Sequence, residues 1–241
     1  MNEISVILPV SKRTVIIKIE RKKMKTCRLK VYPNGDVKIA VPQSTNNSWI
    51  ENYLRDKSDW IEKKLAVFTK TTSHASTENI RNGMSIKLLG QDYIFSVSLS
   101  SKEKVYAENK LLHICCLNTT DADRIQTLFD KWWRKEASIY YQKVLDELFS
   151  IVGKYNVAKP KMLIKKMKTL WGSCNAARGI VYLNQFLFKA KPPCIEYVIL
   201  HELVHLLYPN HSKSFYDFLG TYMPDWKDRK KMLDFDVVHG L

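Results

Sequence analysis

The stretch HELVHLLYPNH, His201 to His211, brings three imidazoles and one carboxylate close together in the chain. Two histidines four apart on a helix project from one face and can grip a single ion. Glu202 is turned about 100° from His201, too far round to ligate yet able to reach a water on the metal. A carboxylate beside a water whose pKa a metal has lowered to about 7 can hydrolyse amides. The competing reading is a core helix that merely carries histidines. Buried and unsatisfied, each such polar group would cost on the order of 1–3 kcal/mol, and a metal removes that cost. A catalytic zinc needs a third protein ligand and one open position. Pro209 breaks the helix and Asn210 tolerates a left-handed backbone, so the chain can turn back and deliver His211. The residues therefore predict zinc on His201, His205 and His211, with Glu202 as the general base.

Such a site needs elements to hold it. Pro192-Pro193 suit a helix start, and Tyr197, Val198, Leu200, Leu203, Val204 and Leu207 make the helix apolar nearly all round, hence buried, ending near Tyr208-Pro209. Upstream, Lys161–Met167 and Gly179–Phe188 read as strands flanking KTLWGSCNAARG. A long helical pattern runs from about Ala122 to Gly153, with one of the Trp132-Trp133 pair facing inward as core packing. Nearer the N-terminus, alternation at Val15-Ile17-Ile19, Leu29-Val31 and Val37-Ile39-Val41 predicts antiparallel strands. Asn34-Gly35 suggest the turn of a hairpin. One helix over Trp49–Phe68 follows, capped by Ser44 or Ser48, then a polar loop over Thr69–Asn79. Strands are expected again over Ser85–Leu99, with a turn near Gly90, and over Lys104–Leu117, with Gly83 and Asn109 at turns. His113 reads as an ordinary half-buried strand residue and His239 as a surface residue. No internal repeat is visible. The division expected is a β-rich N-terminal region, 1–118, that could serve recognition, and a catalytic domain, 119–241, in an α+β fold.

Composition narrows the classes. With 241 residues, 45% apolar and 26% charged, the chain can bury a sizeable core. No apolar run reaches the roughly 18 residues of a membrane span, and the N-terminus lacks the pattern of a secretory signal. Five cysteines without a CxxC pair argue against a disulfide framework and for a reducing, cytoplasmic setting. Thirty-nine basic against 24 acidic residues leave a net charge of +15, which attracts nucleic acid or other anionic partners. The run Lys12–Gly35 interleaves bases with strand-like residues. It could track phosphates or simply be a solvated sheet face.

Several motifs together resemble the YgjP-like metallopeptidases, a zincin family related to the SprT and WLM groups. They are WGSC (Trp171–Cys174), IVYLNQFL (Ile180–Leu187), YVILHELVHLLYPNHSKSFY (Tyr197–Tyr216) and MPDWK (Met223–Lys227). The N-terminal half joins through VYPNGDVKIAVP (Val31–Pro42), KSDWIEKKL (Lys57–Leu65) and LLGQDYIFSV (Leu88–Val97). The resemblance implies a zincin-like α+β fold and a zinc-dependent peptidase with His201, His205 and His211 as ligands and Glu202 as base. By the same analogy, Gly179–Phe188 is the strand against which a substrate backbone lies, with Asn184 near the cleft. Family members often carry Trp at position 216 and a basic residue at 170, where this chain has Tyr216 and Leu170, a departure that touches substrate preference.

Other polar residues leave choices open. Cys174 could be a thiolate that blocks zinc or a structural turn residue, and Gly172 and Ser173 would shape that turn. Tyr208 or Tyr222 could donate to an oxyanion, and Asp217 or Asp225 could orient a ligand imidazole. The expected function is zinc-dependent hydrolysis of peptide bonds through a metal-activated water, acting on a protein or peptide substrate. The alternative is a basic nucleic-acid-associated protein, either a DNA-linked protease or a binding module with structural zinc.

Overall fold

Strict alternation over Val15–Ile19 and Val37–Val41 puts one apolar face on each of two strands, and those faces must find cover. In the computed structural model, which describes residues 3–32, 35–72, 79–167 and 170–238, they share one four-stranded sheet. Its strands are β1 (Glu3–Ile7), β2 (Thr14–Lys22), β3 (Arg28–Val31) and β4 (Val37–Pro42), in the order β1-β2-β4-β3. Val15, Ile17, Ile19, Val37, Ile39 and Val41 are buried beneath Ile50, Leu54, Ile61 and Leu65 of two helices, α1 (Asn47–Asp56) and α2 (Ser58–Thr72). β3 and β4 form the expected hairpin, closed by Tyr32 N–H to Asp36 O at 2.8 Å with Gly35 at φ +86°. Asn34 lies outside the described residues.

Two expectations change here. β2 and β4 pair parallel, not antiparallel, because the β3–β4 hairpin returns the chain to the β2 edge. The single helix over 49–68 is two. Asn46, rather than a serine, caps the first by accepting from Ser48 N–H. At its end the Ser58 hydroxyl bonds the Arg55 carbonyl at 2.7 Å, a local bond that competes with helix continuation. Helix α2 runs on to Thr72, into the segment read as a loop, whose residues 73–78 lie outside the described residues, as does His239.

Packing divides the chain into two compact units whose main stretches are Met1–Ser76 and Thr77–Asp236. The second opens with another four-stranded sheet, made of β5 (Ser85–Leu88), β6 (Gln91–Leu99), β7 (Lys104–Glu108) and β8 (Leu111–Cys116). Its order, β5-β6-β8-β7, and its pairing senses repeat those of the first sheet: antiparallel, parallel, antiparallel. This is a repeat the sequence does not display. Phe95, Leu112 and Ile114 from this sheet bury against Ile125, Phe129 and Trp133 of the long helix α3 (Ala122–Gly153). These strands, grouped by sequence with residues 1–118, therefore share a core with α3. Asp121 caps α3 by accepting from Arg124 N–H at 2.9 Å. Of the tryptophan pair, Trp133 faces inward and donates to the Gln185 carbonyl at 3.0 Å.

A three-stranded sheet of β9 (Lys161–Lys165), β10 (Gly172–Asn175) and β11 (Ile180–Asn184), ordered β10-β11-β9, completes the scaffold with helices α4 (Pro192–Val204), α5 (Lys213–Tyr222) and α6 (Trp226–Val238). The fold is mixed α+β, and among the described residues no helix is long and apolar enough to cross a membrane.

Candidate metal centre

Helix α4 is buried on nearly every side: Ile195, Ile199, Leu200, Leu203 and Val204 are fully enclosed. A helix so apolar must run through the core, and it carries His201 and Glu202 in its last turn with His205 at its C-cap. Tight turns continue past it, Leu207 and Tyr208 N–H both bonding the Val204 carbonyl. Asn210 is absent from the positive-φ residues. The chain instead comes back through extended Ser212 (φ −75°, ψ 174°), which caps α5 by accepting from Phe215 N–H. That cap fixes His211, the residue before it.

The three imidazoles converge. Their ligating nitrogens all lie within 4.8 Å of one another, and each ring centroid is 4.8–4.9 Å from Phe215, which backs the cluster. Burial falls along the set, His201 and His205 half-buried and His211 exposed, so the site opens to solvent on the His211 side. Nε2 of His201 and Nε2 of His211 stand 2.9 Å apart. At that distance one neutral ring can donate an Nε2–H to the other's lone pair, or a shared cation can take both lone pairs. Protonation is disfavoured. Burial, followed by the neighbouring histidines and Lys230, pushes His201 down to about 3 and lowers His211. Neutral imidazoles are the form that ligates a metal. His205 Nδ1 is 3.0 Å from the Tyr208 carbonyl. A carbonyl only accepts, so Nδ1 carries a hydrogen, which leaves Nε2 as the nitrogen that can ligate. His201 Nδ1 is buried without a hydrogen-bond partner among the described residues. His201 and His211 disfavoured as cations, His205 Nδ1 committed to a carbonyl, and a buried His201 nitrogen without a partner among the described residues together fit a metal ion.

Glu202 lies on the other side of the same helix turn, 6% exposed. Burial pushes its carboxyl up to about 8, opposed by the Cys174 backbone N–H that donates to it. Strand β10 passes so close that a Cβ on Gly172 would sit 2.7 Å from Glu202 Cγ and 2.9 Å from Oε1. Gly172 therefore belongs to a strand, not to the turn read from the sequence, and it is glycine because the Glu202 side chain fills that space. An aromatic ladder flanks the histidines. Tyr216 stacks on His211 (6.0 Å) and on Trp226 (5.2 Å), and Trp226 stacks on Tyr197, whose ring meets His201 edge-on at 5.8 Å.

The remaining candidates go elsewhere. Cys174 is not in the histidine cluster, and burial with the nearby Glu202 raises its thiol to about 11. Asp217 pairs with Lys213 and Asp225 with Arg229, each at 2.9 Å, so neither orients an imidazole. The Tyr208 carbonyl does that for His205. The Tyr222 hydroxyl lies 3.1 Å from that of Tyr155, with Lys154 over its ring. His113 stacks on Tyr106 at 4.7 Å in the second sheet. Two expectations are overturned. β11 is bonded on both sides, to β10 and β9, which leaves it no free ladder for a substrate backbone. Asn184 is not in a cleft. It is buried and donates to the carbonyls of Met167 and Leu170 at 2.9 and 2.8 Å while capping the turn at Phe186. Sequence reasoning missed Phe215 and the Tyr208 carbonyl as site components. Gly172 was visible only as part of WGSC.

A family model described as YgjP-like, metallopeptidase domain, matches residues 25–235. Among solved structures, the chain is similar to the metallopeptidase zymogen abylysin of Pyrococcus abyssi, at 19% identity and a TM-score of 0.38, over 42% of this chain and 98% of that one. It is also similar to the zymogen jannalysin of Methanocaldococcus jannaschii, at 20% identity and a TM-score of 0.36, over 40% and 96% of the two chains. No curated protein matches the sequence significantly.

Proposed function

The chain belongs to the YgjP-like metallopeptidase family, and from that premise we propose that it hydrolyses peptide bonds with zinc held by His201, His205 and His211 and with Glu202 as general base. The observation that carries this reading is the convergence of three imidazoles within 4.8 Å beside the buried carboxyl of Glu202. Zinc bound there would act as a Lewis acid, polarising a carbonyl and acidifying water. Glu202 takes the proton of the attacking water and returns it to the departing amine. Burial raises the carboxyl's affinity for the proton it must take, and a cation on the histidines would favour its ionised form before that step. The Cys174 N–H and the bare Cα of Gly172 hold that carboxylate in place. A substrate backbone lies along β10, whose ladder is occupied only on the β11 side among the described strands, adding a strand as extended peptides do. In this zincin-like reading the machinery sits in residues 119–241, the protein is cytoplasmic, and the N-terminal region takes part in recognition.

The test is to strip the full-length chain with a chelator, reload it with zinc, and incubate it with a loosely folded protein. Metal content and mass-spectrometric fragments are read for the wild type and Glu202→Gln. Bound zinc in both, with fragments from the wild type alone, is expected. Fragments from both proteins at the same rate, or no zinc retained by the wild type, would sink the assignment.

A further inference from the structure

The first sheet has a buried face and an outer one, and the outer face gathers charge. Between Lys12 and Lys38 the sequence holds ten basic residues against two acidic ones. Pairing brings part of that excess into a line. Lys18 on β2 is directly opposite Lys38 on β4, and Lys38 is directly opposite Lys30 on β3. In the next row on the same face stand Glu20, Ala40 and Arg28. The small side chain of Ala40 leaves a depression of about 160 Å³, walled by Lys22, Arg28, Lys30, Tyr32 and Lys38 and by one carboxylate, Glu20, which also feels Lys38 and Lys30. Glu20 is engaged by Lys22 at 2.5 Å. Among the described residues Lys18, Arg28, Lys30 and Lys38 have no salt bridge, while Lys38 lies over the Tyr32 ring at 5.5 Å.

Like charges placed directly opposite on a sheet destabilise it, so three lysines in one row work against the fold. The architecture does not demand them. In the second sheet, which repeats the strand order and pairing senses, the corresponding row is Ser96, His113 and Tyr106. The lysine row is peculiar to the first sheet, and a bound polyanion would relieve its repulsion.

We propose that the outer face of the β1–β4 sheet binds the sugar–phosphate backbone of single-stranded nucleic acid, with Lys18, Arg28, Lys30 and Lys38 on the phosphates and Tyr32 beside the bases. Single-strand binders join a basic groove to an aromatic platform in this way, and the guanidinium fork of Arg28 fits phosphate oxygens. A concave surface with an aromatic in its wall favours a strand over a flat lipid surface, and it favours stacked bases over the carboxylates of an acidic peptide. The inference is independent of peptide hydrolysis.

The test uses the full chain, zinc-loaded, with a fluorescein-labelled oligothymidylate, and reads anisotropy across a salt series. The wild type is compared with Lys18→Gln/Lys30→Gln/Lys38→Gln and with a charge-matched control, Lys102→Gln/Lys131→Gln/Lys135→Gln. Each single-strand phosphate contact contributes about 0.7 to the slope of log affinity on log salt, so the triple variant should lose about two units of slope. Between about 50 and 200 mM salt, that difference makes its affinity loss roughly eighteen-fold smaller than that of the wild type. The control should keep the wild-type slope. Removing mutual repulsion should not lower the melting temperature, and the single Lys38→Gln change, with about 0.7 units lost, covers the case in which it does. Equal slopes in all the proteins would overturn the proposal. So would polyglutamate or phosphatidylserine vesicles competing the oligonucleotide off at lower charge concentration than unlabelled strand does.

Discussion

Adding one methyl at Gly172 gives the sharpest test of how Glu202 is held. An ideal Cβ there lies 2.7 Å from Glu202 Cγ, 2.9 Å from Oε1 and 3.1 Å from Cδ, whereas ordinary contact begins near 3.4 Å. Gly172 itself is buried, and so is Glu202, so the collision cannot be relieved by swinging a side chain into solvent. Overpacking of this kind costs about 1–3 kcal/mol, which for a chain of this size lowers the melting temperature by roughly 2–12 °C. The decisive experiment is a double-mutant cycle on the metal-free chain, with Gly172→Ala, Glu202→Ala and the pair compared by chemical denaturation. Once Glu202 is truncated, all three colliding atoms are gone. The φ of Gly172 lies outside the left-handed range, so alanine fits the backbone and restricts the unfolded chain. In that background the methyl should be neutral or slightly stabilising, and the coupling should be about 1–3 kcal/mol. In the zinc-loaded enzyme the same methyl should lower kcat by up to about a hundredfold, the order expected for a displacement near 1 Å, with zinc content unchanged. If Gly172→Ala destabilises equally in both backgrounds, the glycine is not there for Glu202 and the reasoning fails.

Three further outcomes follow from the same contacts. Asn184→Ala strips the Met167 and Leu170 carbonyls of their donor and should cost about 2 kcal/mol or more in thermal unfolding; a change under about 0.5 kcal/mol would refute a pinning role. Asp217→Asn should leave zinc affinity within about twofold, because Asp217 bonds Lys213 and no histidine; a loss of tenfold or more, the usual effect of removing a ligand's supporting partner, would show otherwise. With its thiol raised from 9.0 to about 11, Cys174 holds about a hundredfold less thiolate near pH 8 than an unperturbed thiol. Iodoacetamide mapped by mass spectrometry should therefore label it far more slowly than Cys27, and equal rates would contradict the burial argument.

The histidines were legible because their relationship is local. A helical period places His201 and His205 on one face, and a single turn after Val204 brings His211 to them. The partner of Glu202 was not legible, since Gly172 is thirty positions earlier on a short edge strand with no periodic signal. Asn184 misled for a related reason. A polar residue near a predicted site suggests chemistry, yet it is buried here to satisfy the carbonyls of Met167 and Leu170, in a stretch whose sequence carries no pattern of its own. The parallel pairing of β2 with β4 was likewise hidden, because alternation shows which face of a strand is buried but not which neighbour it chooses. The split between α1 and α2 came down to a serine hydroxyl, Ser58, competing for one carbonyl.

The twin sheets also bear on how the chain folds. In each, the flanking pairs β1–β2, β3–β4, β5–β6 and β7–β8 join strands adjacent in sequence, whereas the central seam, β2 with β4 or β6 with β8, joins strands separated by another strand. Hairpins close within microseconds, and pairings of longer sequence separation come later because more chain must be ordered first. Each unit thus has two quick local events and one slower docking of hairpin on hairpin. Truncations along the seam, at Ile17 and Ile39 or at Phe95 and Leu112, should slow refolding, while truncations on the outer strands should mainly quicken unfolding.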